Sequence, residues 1–229
     1  MSSPNSPQDD PALGASVVNA LDHLRKGGVV AYPTETVWGL GVCADRRDAV
    51  DALRNWKGRR EEAPLAVLVP RPASVGGLGC SVGPPARRLM EAFWPGPLML
   101  VLPCEDRFAP GVARSDGALG VRCSPHPIAL ALAEALESEG LGPLTSTSLN
   151  RSGAPPALRL EEARALLMSE GTGVAPLLVS PGLYDAGGEA PSTVVDCTQA
   201  NLGLLREGAI ARRDVEAAAA EGPPGNANR

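Results

Sequence analysis

The stretch Val29-Val30-Ala31-Tyr32-Pro33-Thr34-Glu35-Thr36-Val37-Trp38-Gly39-Leu40-Gly41 decides how the rest of the chain is read. Its β-branched and aromatic start favours a strand over 29–32. Pro33 lacks a ladder donor and fixes φ, so the strand ends there. Two threonine hydroxyls and a carboxylate follow at once, at the carboxyl end of a strand, where open α/β sheets bind ligands. Two further segments carry related chemistry. Lys57-Gly58-Arg59-Arg60 closes a short helix, and Ser146-Thr147-Ser148-Leu149-Asn150-Arg151-Ser152-Gly153 ends a later strand. Together they suggest a pocket for an anionic, phosphorylated ligand.

The chain has 229 residues, enough for one large domain or two small ones with a sizeable core. Hydrophobic content of 44% with 21% charged residues is ordinary for a globular protein, and aromatics at 3% leave the core to Leu, Val and Ala. A formal charge of -5 argues against a protein devoted to coating nucleic acid, though not against a local basic cavity. Lysine occurs only at Lys26 and Lys57, which makes Lys57, retained inside a basic turn, the more telling of the cations. Cys43, Cys80, Cys104, Cys123 and Cys197 are widely spaced, odd in number and without a Cys-x-x-Cys pair. Neither a disulfide framework nor a zinc site is expected from them. His23 and His126 are the only histidines, too few for a His/Cys metal centre, and no Gly-x-Ser-x-Gly elbow accompanies His126. The first residues lack the basic start and apolar core of a signal peptide, and no apolar run approaches ~20 residues. A reducing cytoplasm and no membrane association are expected.

Along the chain, residues 1–10 are Ser/Pro/Asp-rich and expected to be disordered. Leu13, Val17, Leu21 and Leu24 recur at helical spacing before Gly27-Gly28. After the strand at 29–32 come a helix near 46–56 with Asp45 as N-cap, a strand at 65–69 and a helix at 84–93. Strands at 98–102 and 118–123, a helix at 127–137, a strand at 144–148 and a helix at 160–168 follow. Strand-like pieces at 177–180, 193–197 and 203–205 close the fold. Helices alternate with strands early while strands cluster late, which favours a mixed sheet covered by helices over a purely parallel one. No linker divides the chain, so one domain is expected over 11–212, with a short C-terminal tail at 213–229.

Taken singly, the polar clusters are ambiguous. The basic tetrapeptide reads either as a solvated helix end or as a clamp in which Gly58 lets Lys57 and Arg59 converge on one polyanion. The Ser/Thr/Asn turn either satisfies its own backbone or presents Ser146, Ser148 and Asn150 on one side of a strand. Arg122, in an otherwise apolar strand, must be paired, by a core carboxylate or by a ligand's. Arg206 raises the same question, with Glu207 facing the other way.

In order, these pieces resemble the YrdC family of threonylcarbamoyl-AMP synthases. The resemblance is carried by Tyr32-Pro33-Thr34-Glu35-Thr36-Val37-Trp38-Gly39-Leu40, Lys57-Gly58-Arg59 with Pro64-Leu65, Trp94-Pro95-Gly96-Pro97-Leu98 and Val121-Arg122 with His126-Pro127. It continues through Thr147-Ser148-Leu149-Asn150-Arg151-Ser152-Gly153, Ser192-Thr193-Val194-Val195-Asp196 and Leu205-Arg206-Glu207-Gly208. It implies a mixed α/β (α+β) fold of YrdC/RibB-like type, a twisted open mixed sheet flanked by helices around a central concave cavity.

It also implies a reaction, in which L-threonine, bicarbonate and ATP give threonylcarbamoyl-adenylate and pyrophosphate for tRNA threonylcarbamoyladenosine modification. By the resemblance, Thr34, Arg122, Ser146 and Ser192 line the threonine site. Lys57, Arg59, Ser148 and Asn150 form the catalytic group, and Arg59, Ser148, Asn150 and Arg206 contact ATP. Mg²⁺ is expected to accompany ATP, with no dedicated protein metal site. Possible partners are tRNA and the threonylcarbamoyl-transferase machinery. Trp38, Ala63, Leu68, Leu149 and Pro156 depart from the family pattern. Competing readings are an RNA-binding module of the same fold without synthase activity and a carbamoyl-adenylate-forming domain with another acceptor.

Overall fold

The computed structural model describes residues 10–58, 63–105, 108–168, 175–180, 185–199 and 201–220. Helix α1 spans Pro11–Arg25, with Asp10 capping it by accepting from Ala12 N at 2.9 Å. Strands β1 (Val30–Tyr32) and β2 (Gly39–Gly41) flank the Pro-Thr-Glu-Thr turn and lead into α2 (Arg47–Lys57). Next come β3 (Ala66–Leu68), a 3₁₀ segment at Pro72–Leu78, α3 (Pro84–Phe93), β4 (Leu98–Pro103) and β5 (Ala118–Arg122). Then follow α4 (Pro127–Ser138), β6 (Leu144–Ser148), α5 (Leu160–Met168) and β7 (Leu177–Leu178). Strands β8 (Thr193–Asp196) and β9 (Gly203–Arg206) precede the last helix, α6 (Arg212–Ala220).

Among the described residues nine strands form one mixed sheet in the order β7-β1-β2-β6-β3-β5-β4-β8-β9. The pairs β1/β7, β3/β5 and β4/β8 are parallel and the others antiparallel, as the late clustering of strands leads one to expect. Registered partners share a face of the sheet. On one face, Leu40, Val67, Leu100, Leu119 and Val121 join Trp38 and Trp56 in the larger core. On the other face, Leu68 and Leu144 pack with α1 and α4 in a second core that also holds Leu13, Leu24, Tyr32 and Leu132.

The register then locates the cavity. Ala66 pairs Ser146, Leu68 and Met99 both pair Arg122, and Met99 pairs Val194, so these residues lie in one band on the α1/α4 face. The two helices cover one end of the band, at Leu68. The other end stays open as a concavity of about 360 Å³ whose wall includes Ala66, Met99, Ser146 and Val194. Arg122 stands where the two ends meet.

Four expectations are corrected. The N-cap of α2 is Arg46, not Asp45, and it makes no side-chain cap bond; its guanidinium instead reaches Asp48 Oδ1 at 3.1 Å. Cys80 and Cys104 form a disulfide, because the 3₁₀ segment brings Cys80 against the end of β4, a contact that spacing alone does not announce. Strand β2 was not anticipated, since two of its three residues are glycines of poor strand propensity. Position 41 nevertheless needs one: a Cβ there would lie 2.4 Å from the Thr145 carbonyl oxygen. Finally, the segment assigned to the tail from 213 is helical through Ala220, with Val215 buried and the Ala219 carbonyl accepting from Arg88 Nε at 2.9 Å. Of the segment 1–10 expected to be disordered only Asp10 is described, as the N-cap of α1, and residues 221–229 of the tail also lie outside the described residues.

Candidate active site

The Pro-Thr-Glu-Thr turn is built around its own hydroxyls. Thr34 Oγ1 donates to the Val37 carbonyl at 2.7 Å and accepts from Thr36 N at 3.2 Å, closing a side-chain-mediated turn. Arg122 enters this turn from the end of β5, almost fully buried. Its Nη2 donates to Glu35 Oε1 at 2.7 Å and Thr36 Oγ1 at 2.6 Å, with Thr34 Oγ1 at 3.3 Å. Ser124 Oγ donates to the other Glu35 oxygen. Of the two alternatives left open for Arg122, the structure shows the core carboxylate. A core carboxylate neutralises one edge of the guanidinium, while Arg122 Nε is buried with no partner among the described residues. A buried donor left unpaired costs ~1–3 kcal/mol, so Nε would gain from an acceptor brought to it.

Ser192 gives a second such atom. The residue is 2% exposed and its Oγ has no hydrogen-bond partner among the described residues, yet it lines the same cavity as Arg122. Its backbone carbonyl accepts from Arg206 Nε at 3.0 Å and Nη2 at 2.8 Å, which sets Arg206 at the cavity wall. Arg206 is exposed overall, and partial desolvation at that wall, then the nearby charge of Arg122, hold its guanidinium below its ordinary pKa. Two guanidinium groups thus line one concavity, one of them paired with Glu35.

The opposite wall is made by the Ser-Leu-Asn turn after β6. Ser146, Ser148 and Asn150 line the cavity, and Ser148 Oγ donates to Asn150 Oδ1 at 2.7 Å. Lys57, 2% exposed at the end of α2, sits behind them. Its ammonium donates to the Ser148 carbonyl, to the Asn150 carbonyl at 3.0 Å and to Asn150 Oδ1 at 2.9 Å. Lys57 thereby holds the turn and places a positive charge beneath it, rather than projecting into the open space. Gly58, at φ 62°, takes the left-handed conformation that ends α2, and the Lys57 carbonyl accepts from Ser152 N at 2.8 Å.

Of the residues singled out in the sequence, Arg122, Ser146, Ser148, Asn150, Ser192 and Arg206 line one cavity, with Thr34 and Lys57 directly behind it. Arg59 lies outside the described residues. Among the departures, Pro156 lines the cavity, Leu149 is in the core and Leu68 faces a separate hollow beneath α4. Reading from residues alone passed over Glu35 as a partner of Arg122, although it sits inside the motif. It also passed over Ser124 and Asp185, for which the sequence carries no signal. Among the described residues no three His, Cys, Asp or Glu side chains gather as a metal site, and no helix is long and apolar enough to cross a membrane.

The family model Sua5_yciO_yrdC, described as "Telomere recombination", matches residues 22–208. The threonylcarbamoyl-AMP synthase of Bacillus subtilis (strain 168) is 37% identical over 205 residues, covering 88% of this chain and 56% of that protein. The threonylcarbamoyl-AMP synthase of Halorhodospira halophila is 38% identical over 148 residues, 65% of this chain and 75% of that protein. The crystal structure of P. abyssi Sua5 complexed with L-threonine is similar in fold, with a TM-score of 0.76 and 30% identity over 88% of this chain and 56% of that one. The chain therefore spans little more than half the length of the Bacillus and Pyrococcus proteins. With the match covering residues 22–208, and with the Pro-Thr-Glu-Thr and Ser-Leu-Asn turns meeting at one cavity, the chain belongs to the Sua5/YciO/YrdC family.

Proposed function

We propose that this chain is an L-threonylcarbamoyladenylate synthase, a nucleotidyltransferase acting on L-threonine, bicarbonate and ATP in tRNA modification. The observation that carries the reading is the pair of buried, unpartnered donors, Arg122 Nε and Ser192 Oγ, at the cavity whose opposite wall holds Ser148 and Asn150, with Arg206 bonded to Ser192. They suit a small amino acid held by its carboxylate, next to a wall of hydroxyl and amide groups backed by Lys57 and suited to phosphate oxygens. The naming of the Bacillus and Halorhodospira relatives and the threonine bound to P. abyssi Sua5 support the same assignment.

In this scheme the threonine amine takes up bicarbonate to give an N-carboxylate and water. A carbamate oxygen then attacks the α-phosphorus of ATP, and the bond to the β-phosphate oxygen breaks to release pyrophosphate. Both reactants are anions, so the chief task is electrostatic. Arg122, its orientation fixed by Glu35, holds the threonine carboxylate, with Thr34, Ser146 and Ser192 around the rest of the amino acid. Lys57 acts through the turn it braces: it keeps Ser148 and Asn150 in place and sets a positive field under the phosphates. Arg206, at the cavity wall, serves the nucleotide, and Arg59 is assigned to it by its place in the Lys57-Gly58-Arg59 motif. Neutral hydroxyls and cations fit a Mg²⁺ ion carried on the triphosphate, since Mg²⁺ keeps its waters and binds largely through substrate phosphates. When bound it would neutralise charge on the leaving pyrophosphate.

The adenylate would pass to the threonylcarbamoyl-transferase machinery that modifies tRNA, in the cytoplasm. Pyrophosphate release, followed with purified protein while threonine, bicarbonate and ATP are omitted in turn, tests the assignment. Release should need all three. Release unaffected by omission of threonine would refute it.

A further inference from the structure

The segment from Asp185 to Ser192 lies against the outside of the Pro-Thr-Glu-Thr turn and ends at a cavity-lining hydroxyl. Gly187 N donates to the Thr34 carbonyl at 3.0 Å. At Gly188 the fit is closer still: a Cβ there would lie 2.7 Å from the Glu35 carbonyl oxygen and 3.0 Å from Thr36 Cα. The segment is therefore a backbone splint on the residues that hold Arg122. Its far end delivers Ser192 to the cavity. Its near end is tied down by one residue, Asp185.

Asp185 gathers four elements. Its Oδ1 accepts from Trp38 Nε1 at 2.9 Å and Ala186 N at 2.8 Å, and its Oδ2 accepts from Leu160 N at 3.3 Å at the start of α5. Its backbone carbonyl faces His126 Nε2 at 3.0 Å. A carbonyl only accepts, and the Ile128 amide donates to His126 Nδ1 at 3.3 Å, so the ring is the Nε2–H tautomer. Burial works to raise the Asp185 pKa, but the donors from Trp38, Ala186 and Leu160 outweigh it and hold the carboxylate below its usual range. Trp38 is fully buried, so its indole N–H needs this acceptor.

Trp38 is itself a junction. Its amide donates to the Ala157 carbonyl at 3.0 Å and its carbonyl accepts from Leu149 N at 2.8 Å, which locks its backbone to the nucleotide-side turn. Its side chain reaches the opposite way, to the splint. The two halves of the cavity are thus attached to Trp38 by different groups, the backbone on one side and the indole on the other.

We infer that Asp185 is a positioning residue for the threonine half of the site, acting through the Trp38 indole and the 185–192 splint to hold the Arg122 cradle and Ser192. This rests on the reading of the cavity as a threonine and ATP site. The effect should fall on one substrate only, because the backbone bonds from Trp38 to Leu149 and Ala157 survive loss of the indole contact.

The test compares wild type with Asp185→Ala, Asp185→Asn, Trp38→Phe and the Asp185→Ala/Trp38→Phe double variant. It measures KM for threonine, KM for ATP and kcat. Losing a hydrogen bond to a charged acceptor should raise KM for threonine about tenfold in Asp185→Ala, with KM for ATP within about twofold. Asp185→Asn keeps a carbonyl acceptor for the indole and should recover most of the loss. Trp38→Phe removes the donor and should resemble Asp185→Ala, and the double variant should be no worse than either.

Should Asp185→Ala fail to fold, Trp38→Phe and Asp185→Asn still decide the matter. Equal rises in both KM values, an unchanged KM for threonine in Trp38→Phe, or additive losses in the double variant would overturn the inference. A wild type without threonine-dependent turnover would overturn the reading of the cavity and this inference with it. An active wild type whose variants show no threonine-specific loss would overturn this inference alone.

Discussion

The wall assigned to threonine and the wall assigned to the nucleotide are held in opposite ways. Arg122 on the first wall is gripped by residues from separate segments, Thr34, Glu35 and Thr36 before β2, with Ser124 beyond β5 bracing Glu35. A buried ion pair lies at its centre, with 6% and 17% side-chain exposure for Arg122 and Glu35. Such a pair adds little net stability, since desolvation offsets attraction, but it fixes the guanidinium in one orientation. The second wall is a single turn, Ser148-Leu149-Asn150, pinned from behind by one lysine on carbonyl oxygens. One wall is a charged cradle with one buried donor left unpaired. The other is a neutral surface with its charge set beneath it. The contrast suits the two proposed jobs: recognising one small amino acid by shape and charge, and tolerating charge that moves across a triphosphate.

Breaking the cradle should have the larger effect. Arg122→Ala removes the carboxylate anchor and leaves Glu35 buried without its cation, a loss of about 3–5 kcal/mol in stability. Its kcat/KM for threonine should fall by more than thirtyfold, while KM for ATP moves little. Equal loss for both substrates would erase the distinction between the walls.

Lys57→Ala should come next. It strips three acceptors of their donor, so kcat should fall while KM for threonine stays near wild type, with a stability loss of about 1.5–3 kcal/mol. Steady-state kinetics with a thermal melt would check it, and a threonine-specific KM effect would count against the division.

The smallest effect is one of pH. Burial holds the His126 pKa below the ordinary 6.5. Between the folded and unfolded values the unfolded chain binds more protons, so this group's contribution to stability is intact above about pH 6.5 and declines as pH falls. The melting temperature should drop more on acidification in wild type than in His126→Asn. Parallel curves would show that His126 does not sense pH.

Much of this was legible in the sequence. The helices at 84–93 and 160–168 and the strand at 144–148 match the structure at both ends, because Pro, Gly and apolar spacing mark them clearly. The residues of the cavity were legible as types: hydroxyls after strands, a lysine kept in an arginine-rich chain, an arginine inside an apolar strand. Their partners were not. Nothing local says that Glu35 faces Arg122, 87 positions away, or that Asp185 receives an indole 147 positions away. Those pairings depend on sheet order, which brings β2 beside β6 and β3 between β5 and β6. Helix α6 escaped notice for a different reason. Its alanine-rich sequence buries only Val215, so its apolar periodicity is faint until α3 supplies a surface.

The most direct test of the central claim, that the two walls serve one adenylation, is the mass of the product made from ¹³C-bicarbonate, L-threonine and ATP. The account expects an adenylate that carries threonine and one ¹³C carbon, formed together with pyrophosphate. AMP or ADP without a threonine-linked, ¹³C-labelled adenylate would contradict it.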